Sequence, residues 1–303
     1  MLGPATSRNL VITRAGANSL HERWLNPSSG RDFDLLVASF VSGDPGPDAR
    51  PGIFHIHIPG SKIQGWKVTL AEHPGFIAQY DFVALIDDDI DTNAIDLSRL
   101  FAMGQEYGFN IFQPSLTWDS FYTYAGTIQN PFFRFRCVNY IEMMAPFFSR
   151  TALKHVAPLF EYGWESGIDL IWGSVLPPEF RRFAIIDAIP IRHTRPVGVL
   201  KEANGFVGRT YESDIMASLD HFGMTWPSLV ASSGLTRNGR WVGKMGVSLR
   251  SGALLALPFY SPGQGALRRS FDHIRHQFFR NPKYSEDARH ILARDVVARS
   301  GNK

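Results

Sequence analysis

The stretch YDFVALIDDDID, Tyr80 to Asp91, sets the reading of the chain. Five apolar residues, Phe82 to Ile86, run directly into Asp87, Asp88 and Asp89. A short apolar run rich in Val, Ile and Phe predicts a strand buried on both faces, as in a parallel sheet. Side chains alternate along a strand, so Asp87 and Asp89 are expected on one side and Asp88 on the other. Crowded carboxylates at a strand's C-terminal end need a cation or hydrogen-bond donors. That end is also where open α/β sheets bind ligands. The plain alternative is a solvated acidic turn closing a strand. Two sharper motifs fail on spacing. An EF-hand loop from Asp89 needs Gly and Glu where Ala94 and Leu100 stand. A haloacid-type phosphatase needs Thr or Val four residues after its nucleophile, where the chain has Asp91 or Asn93.

Working outward, LVITRAG at 10–16 predicts a first strand, followed by a helix to about Leu25. FDLLVASF at 33–40 and FHIHI at 54–58 predict two more strands, separated by a Gly/Pro/Asp-rich loop at 41–52. A helix then begins near Ser61, a suitable N-cap. Strand and helix in alternation imply βαβ units and a mostly parallel sheet. Downstream, IDLSRLFAMGQEYG is a helix and IFQPSL, 111–116, a strand. Thr117 to Arg136 shows no clear period and is expected as an active-site loop. YIEMMAPFFS, 140–149, is expected to carry Glu142 early in a strand. RTALKHVAPLFEYGW and SGIDLIWGSVL are expected helices, and FAIIDAIPIRH, 183–193, a late strand. After Val199 the texture turns helical with no further core strands expected. This gives residues 1–200 as the main domain and 201–303 as a helical basic extension packed on it.

The 303 residues, 44% hydrophobic with 23 Phe, are enough for a large core. No run approaches the roughly 18 apolar residues of a membrane span. No signal peptide is evident at the N-terminus, and the single Cys137 excludes an internal disulfide. A cytoplasmic protein is expected. The net charge of +3 is unevenly placed: residues 201–303 hold 15 Lys/Arg against 8 Asp/Glu, and the first 200 hold 16 against 20. Within the basic part, ALRRSFDHIRHQFFR, 266–280, places Leu267, Phe271, Ile274 and Phe278 at helical spacing among Arg268, Arg269, Arg275 and Arg280. Such a helix suits peripheral contact with an anionic membrane at its inner face, and equally suits packing on the sheet.

The order of these features resembles the GT-A-fold, nucleotide-sugar-dependent glycosyltransferases. There an aspartate motif ends a central strand, an acid opens a later helix, and a histidine follows a late strand. Here those are Asp87–Asp89, the SRTALKHVAPLFEYGWESGID stretch with Asp169, and FAIIDAIPIRHTRP with His193. A closer resemblance, over roughly residues 60–200, is to a domain family whose plant members are labelled "lysine ketoglutarate reductase trans-splicing related". It rests on the acidic triplet, the EMMAPFFSR run of Glu142 to Arg150, Gly167 with Asp169, and Asp187 six residues before His193. Trp164 departs from that pattern, with Glu165 and Ser166 intervening before Gly167.

The resemblance implies an α/β, GT-A-like (Rossmann-like) mixed sheet and a transferase that moves sugar from a nucleotide-sugar donor to a carbohydrate-type acceptor. It implies Mn²⁺ or Mg²⁺ held by Asp87, Asp89 and His193, and a base at Asp169, with Glu165 or Glu142 as alternates. Asp87 and Asp88, with Thr13, Arg14 and Lys62, are the expected donor-binding residues. Lys62 is placed there because it lies beside a helix N-terminus, where phosphates bind. Nucleic acid is not an expected partner. Bland readings stand beside these: a half-buried His193, Glu142 paired with Arg134 or Arg136, Asp187 paired with an arginine, and packing aromatics between Trp118 and Tyr140. Rival functions are a metal-dependent nucleotidyltransferase or phosphohydrolase using the same acids, and a non-catalytic carbohydrate-binding domain.

Overall fold

A computed structural model describes residues 2–41, 48–196, 210–255 and 266–301. The chain opens with β1 (Asn9–Ala15), β2 (Asp34–Ser39), β3 (Ile53–His57), α1 (Lys62–Glu72), the short α2 (Pro74–Ile77) and β4 (Phe82–Asp87). Next come β5 (Ile90–Asp91), α3 (Ala94–Tyr107), β6 (Ile111–Leu116), β7 (Phe133–Val138), β8 (Phe147–Ser149) and α4 (Arg150–Val156). Then α5 (Trp172–Val175), β9 (Phe183–His193), α6 (Tyr211–His221), β10 (Ala231–Thr236) and β11 (Trp241–Gly243) lead to α7 (Lys244–Leu255), α8 (Ala266–Phe279) and α9 (Asp287–Gly301). The strands form an 11-stranded sheet in the order β11-β10-β7-β9-β6-β8-β4-β1-β2-β3, with β5 on β9. From β3 to β9 the strands run the same way, except the short β8, which lies antiparallel between β4 and β6. Among the described elements this is a mixed α/β sheet flanked by helices.

β4 is buried on both faces. Val83 and Leu85 enter a core with Leu10, Ile12, Ile63 and Trp66. Ala84 and Ile86 enter a second core with Val11, Leu97, Leu100 and Phe101. Each fully buried Leu or Ile contributes roughly 1.5–3 kcal/mol, so a register slip that exchanged the faces would be strongly disfavoured. The same alternation sends Asp87 toward α1 and Asp88 to the opposite face. Ser61 caps α1, its side chain accepting from Gln64 N–H, and Asn93 caps α3 through Asp96 N–H.

Several expectations need correction. The helix after β1 is only a 3₁₀ stretch, His21–Leu25. The expected loop 117–136 ends in β7, whose FRFRCV sequence alternates, with Phe133 and Phe135 buried. The alternation was masked because Arg136 also points inward. Glu142 lies in no strand, since β8 begins only at Phe147. The expected helix 166–176 is broken into a 3₁₀ turn, Ile168–Leu170, and α5. The segment beyond 200 is not helical throughout, for β10 pairs with β7 and extends the same sheet. Its sequence ASSGLT has little strand character, but Gly234 leaves room for the Phe133 ring, 2.8 Å from where a Cβ would stand. Part of the loop expected at 41–52 lies outside the described residues.

Candidate active site

The shortness of β8 opens a gap in the sheet. It pairs with β6 only at Ile111 and Phe112, and the next position it would bond, Pro114, has no N–H to offer. Beyond that point the 142–146 segment runs beside β4, with Leu85 N–H bonded to Pro146 O and Asp87 N–H to Met144 O, both at 2.9 Å. Gln113 Oε1 accepts from Glu142 N–H at 2.6 Å, fixing Glu142 over the gap. Asp87, Glu142 and Asp169 thus come together although they are far apart in sequence.

Each acid of the triplet meets a different partner. Lys62 Nζ lies 2.6 Å from Asp87 Oδ1, donates to Met143 O at 2.9 Å and sits 4.7 Å from the centre of the Trp66 ring. Asp88 Oδ2 accepts from Gly16 N–H at 2.8 Å, and Oδ1 faces Arg195 Nη1 at 3.2 Å. Asp89 Oδ2 stands 3.3 Å from His193 Nε2, while Asp89 Oδ1 is buried with no partner. The Nδ1 of His193 bonds Phe121 O at 2.8 Å, which orients the ring and leaves Nε2 toward Asp89. β5 pairs with β9 beside these groups, Ile90 opposite His193, and holds the triplet against the strand end that carries the imidazole.

Burial sets the proton affinities here. It pushes Asp87 up to about 6 despite the Lys62 charge, with Asp89 adding to the rise. Burial also pushes Glu142 up to about 7, Thr123 opposing through a hydrogen bond and Asp169 adding repulsion. Asp169 rises to about 6 by burial, against backbone hydrogen bonds from Met143 and its own turn. For Asp89 burial acts upward, but the His193 hydrogen bond and nearby cations win and hold it below the usual carboxylate range. His193 is raised, because the Asp89 contact outweighs the effect of burial. Tyr124 is held neutral by burial and by the adjacent Asp169 and Glu142. Buried carboxyls with displaced affinities grouped together are what proton transfer near neutral pH needs.

The remaining expected residues sit at the margin. Glu165 is turned to the start of α1: Oε1 takes the Ser61 hydroxyl and Oε2 accepts from Ile63 N–H at 3.2 Å. Arg14 donates to Ala38 O at 3.2 Å and Gly60 O at 3.0 Å, tying β1 to β2 and to the loop before α1. Thr13 is fully buried with its hydroxyl unpaired. Asp187 forms a buried ion pair with Arg136 and stands apart from the acids, as the bland reading had it. Sequence reasoning missed Arg195 and the Met143 carbonyl, while Thr123 and Tyr124 fall in the segment expected as an active-site loop without being singled out. Arg195 had a signal, since it lies two residues past His193; the Met143 carbonyl follows only from the path of the chain.

Side chains at this edge suit a hard divalent cation in part. Asp89 Oδ1 lacks a partner and His193 Nε2 faces it, and oxygen and imidazole donors suit Mn²⁺ or Mg²⁺. Asp87, however, is held by Lys62, and among the described residues no three His, Cys, Asp or Glu side chains converge as a metal cluster.

No protein-family model matches the chain, and the closer family resemblance finds no support there. No curated protein matches it. Three crystal structures of S. aureus TarS are similar in fold. One of residues 1–349 matches at 12% identity and TM-score 0.39, over 61% of this chain and 59% of that one. The same fragment in complex with UDP-GlcNAc matches at 13% and 0.39, over 64% and 60%. A third, of TarS, matches at 13% and 0.43, over 94% and 55%. The chain therefore spans 55–60% of the length of these structures. Similarity of this size concerns the fold alone.

Proposed function

We propose that the chain is a glycosyltransferase of GT-A type, moving a sugar from a nucleotide-sugar donor to a carbohydrate-type acceptor. One observation carries the reading. Among the buried polar atoms without partners, five lie toward one edge of the sheet: Thr13 Oγ1, Arg14 Nε, Asp89 Oδ1, Ser115 Oγ and Glu142 Oε2. Thr13, Arg14 and Ser115 lie in the C-terminal halves of β1 and β6, Asp89 just past β4 and Glu142 in the segment that runs beside it, with Lys62 and the displaced carboxyls near. Unpaired buried polar groups are costly, about 1–3 kcal/mol each, and folded chains rarely leave several together unless a polar ligand takes them. A nucleotide diphosphate carrying a sugar has the hydroxyls, base edges and anionic oxygens to do so.

In this reading Asp87, Asp89 and His193 hold a Mn²⁺ or Mg²⁺ ion. When bound, the ion supplies positive charge that stabilises a diphosphate leaving group. Lys62 and Arg195 supply further cations to the phosphates, and Thr13, Arg14 and Asp88 line the nucleoside end. Asp169, ionised above about pH 6, takes the acceptor hydroxyl's proton. Glu142, raised by burial to about 7, is partly neutral at physiological pH and keeps the Asp169 environment from carrying two full charges. Exposed Phe121 stands beside His193, where a flat ring can stack on a sugar.

Calorimetric titration with UDP-, GDP- and CDP-sugars, with and without Mn²⁺, followed by a transfer assay, tests the proposal. Saturable, Mn²⁺-strengthened binding with nucleoside diphosphate release is expected. Binding without release would leave a carbohydrate-binding domain, and release of inorganic phosphate would favour a phosphohydrolase. Absence of binding to every donor would sink the reading.

A further inference from the structure

The C-terminal layer carries a surface that the candidate site does not use. Residues 221–285 hold nine Lys and Arg and a single acid, Asp272. Within them α8 is fixed by its inner side. Gln277 is buried, its amide bonding Ala231 N–H at 2.8 Å and Ala231 O at 2.7 Å. His273 packs close to Gly126. Residues three or four apart share a helix face, so Arg268, Phe271, Arg275 and Phe279 form the opposite, outward stripe. The structure agrees: Phe271 is 66% exposed and Phe279 81%, and both arginines are exposed. Ile274 and Phe278 are half-buried, so the apolar set expected from sequence is divided between inside and outside. The side chains of Leu267 and Arg269 lie outside the described residues.

α7 lies antiparallel beside α8, with Lys244 Nζ 2.8 Å from Asn281 Oδ1 and Ser248 Oγ 3.1 Å from Gln277 O. Its buried side holds Val247, Ser248, Ser251 and Leu254, which leaves Met245 and Leu249 exposed on the other. Phe278 packs against Gly252, bridging the two helices. α8 therefore offers Phe271 and Phe279 with Arg268, Arg275 and the exposed Asp272 among them, and α7 beside it offers Met245 and Leu249. Large apolar side chains left outside a folded surface mark an interaction site when they gather.

We propose that this face of α7 and α8 lies on an anionic membrane surface. Phenylalanine, leucine and methionine partition into the headgroup–acyl boundary, and arginines among them meet lipid phosphates. A second copy would bring the same positive field against itself, which opposes association through this face. The contact is peripheral, since no helix of the described residues is long and apolar enough to cross a bilayer. It is independent of the proposed transfer reaction and stands or falls separately.

Flotation of the full chain with phosphatidylcholine vesicles containing increasing phosphatidylglycerol tests it. Binding should rise with the anionic fraction and fall with salt. F271S/F279S should abolish flotation, and R268Q/R275Q should weaken it about fivefold for each charge removed. These side chains are exposed, so both variants should keep the parental melting temperature, and donor binding serves as a second check of the fold. Three results overturn the proposal: no flotation at any anionic fraction, flotation unaffected by either folded variant, or self-association through this face without vesicle binding, seen by sedimentation and lost in F271S/F279S.

Discussion

Asp169 is where the proposed chemistry is most exposed to test. Its carboxyl rises from 3.8 to about 6 on folding, so the folded state holds that proton more tightly than the unfolded chain. The resulting stabilisation is fully present below about pH 4 and is lost as pH rises through about 6, a difference of roughly 3 kcal/mol. Asp169→Asn keeps one amide oxygen to accept from these backbone N–H groups and has no such proton. Its stability in urea should therefore gain on the parent as pH goes from about 4 to about 7. The same ionisation is what a base requires, so parental turnover should climb through about pH 6. The variant should lose about 100-fold or more of it, with donor affinity retained. Turnover within a few-fold of the parent would remove Asp169 from the role. Lys62 answers a different question. Its ammonium neutralises Asp87, so Lys62→Met should bind Mn²⁺ alone more tightly in calorimetry and bind the donor more weakly. Unchanged Mn²⁺ affinity would mean that Asp87 is no ligand.

At the scale of elements, the start of α1 and the strand that ends in the triplet were the legible parts. Ser61 as N-cap, β4 buried on both faces and the opposed directions of Asp87 and Asp88 all follow from local pattern, because caps and alternation are properties of neighbours in sequence. The gap between β4 and β6 was not legible, since it depends on how few residues β8 pairs. The path of 142–146 was hidden for the same reason: an apolar run reads as strand whether or not it finds a partner. Glu165 shows the limit from the other side. Its position suggested a base, yet its carboxylate is spent on Ser61 and on Ile63 N–H, and its charge faces Arg14. Glu165→Ala should thus lower stability by about 1–3 kcal/mol, the penalty for uncovering buried donors. Turnover per folded molecule should stay near the parent's. A loss of 100-fold at unchanged stability would restore Glu165 as the base.

At the scale of the molecule, a buried charge network helps fasten the sheet to its C-terminal layer. Arg136 on β7 meets Asp187 on β9 through two bonds, Nε to Oδ2 at 2.8 Å and Nη2 to Oδ1 at 2.9 Å. Two further guanidinium N–H groups donate to Gly126 O and Ile128 O, both at 2.9 Å. Asn130 N–H reaches Asp187 Oδ1 at 2.8 Å, and its amide reaches Ser251 of α7 at 3.3 Å. The turn after Tyr124, two central strands and α7 therefore share one ion pair with almost no exposure to water. Removing one partner strands the other charge in the interior, which costs about 3–5 kcal/mol. Replacing both by apolar side chains removes that penalty, since the desolvation of two ions is relieved together. Asp187→Ala should accordingly shift the urea midpoint far below the parent's and disturb Tyr124 beside Glu142 and Asp169, whereas Arg136→Met with Asp187→Leu should recover most of the loss. Single and double variants equally destabilised would mean that geometry specified by the pair, rather than the stranded charge, is what the layer depends on.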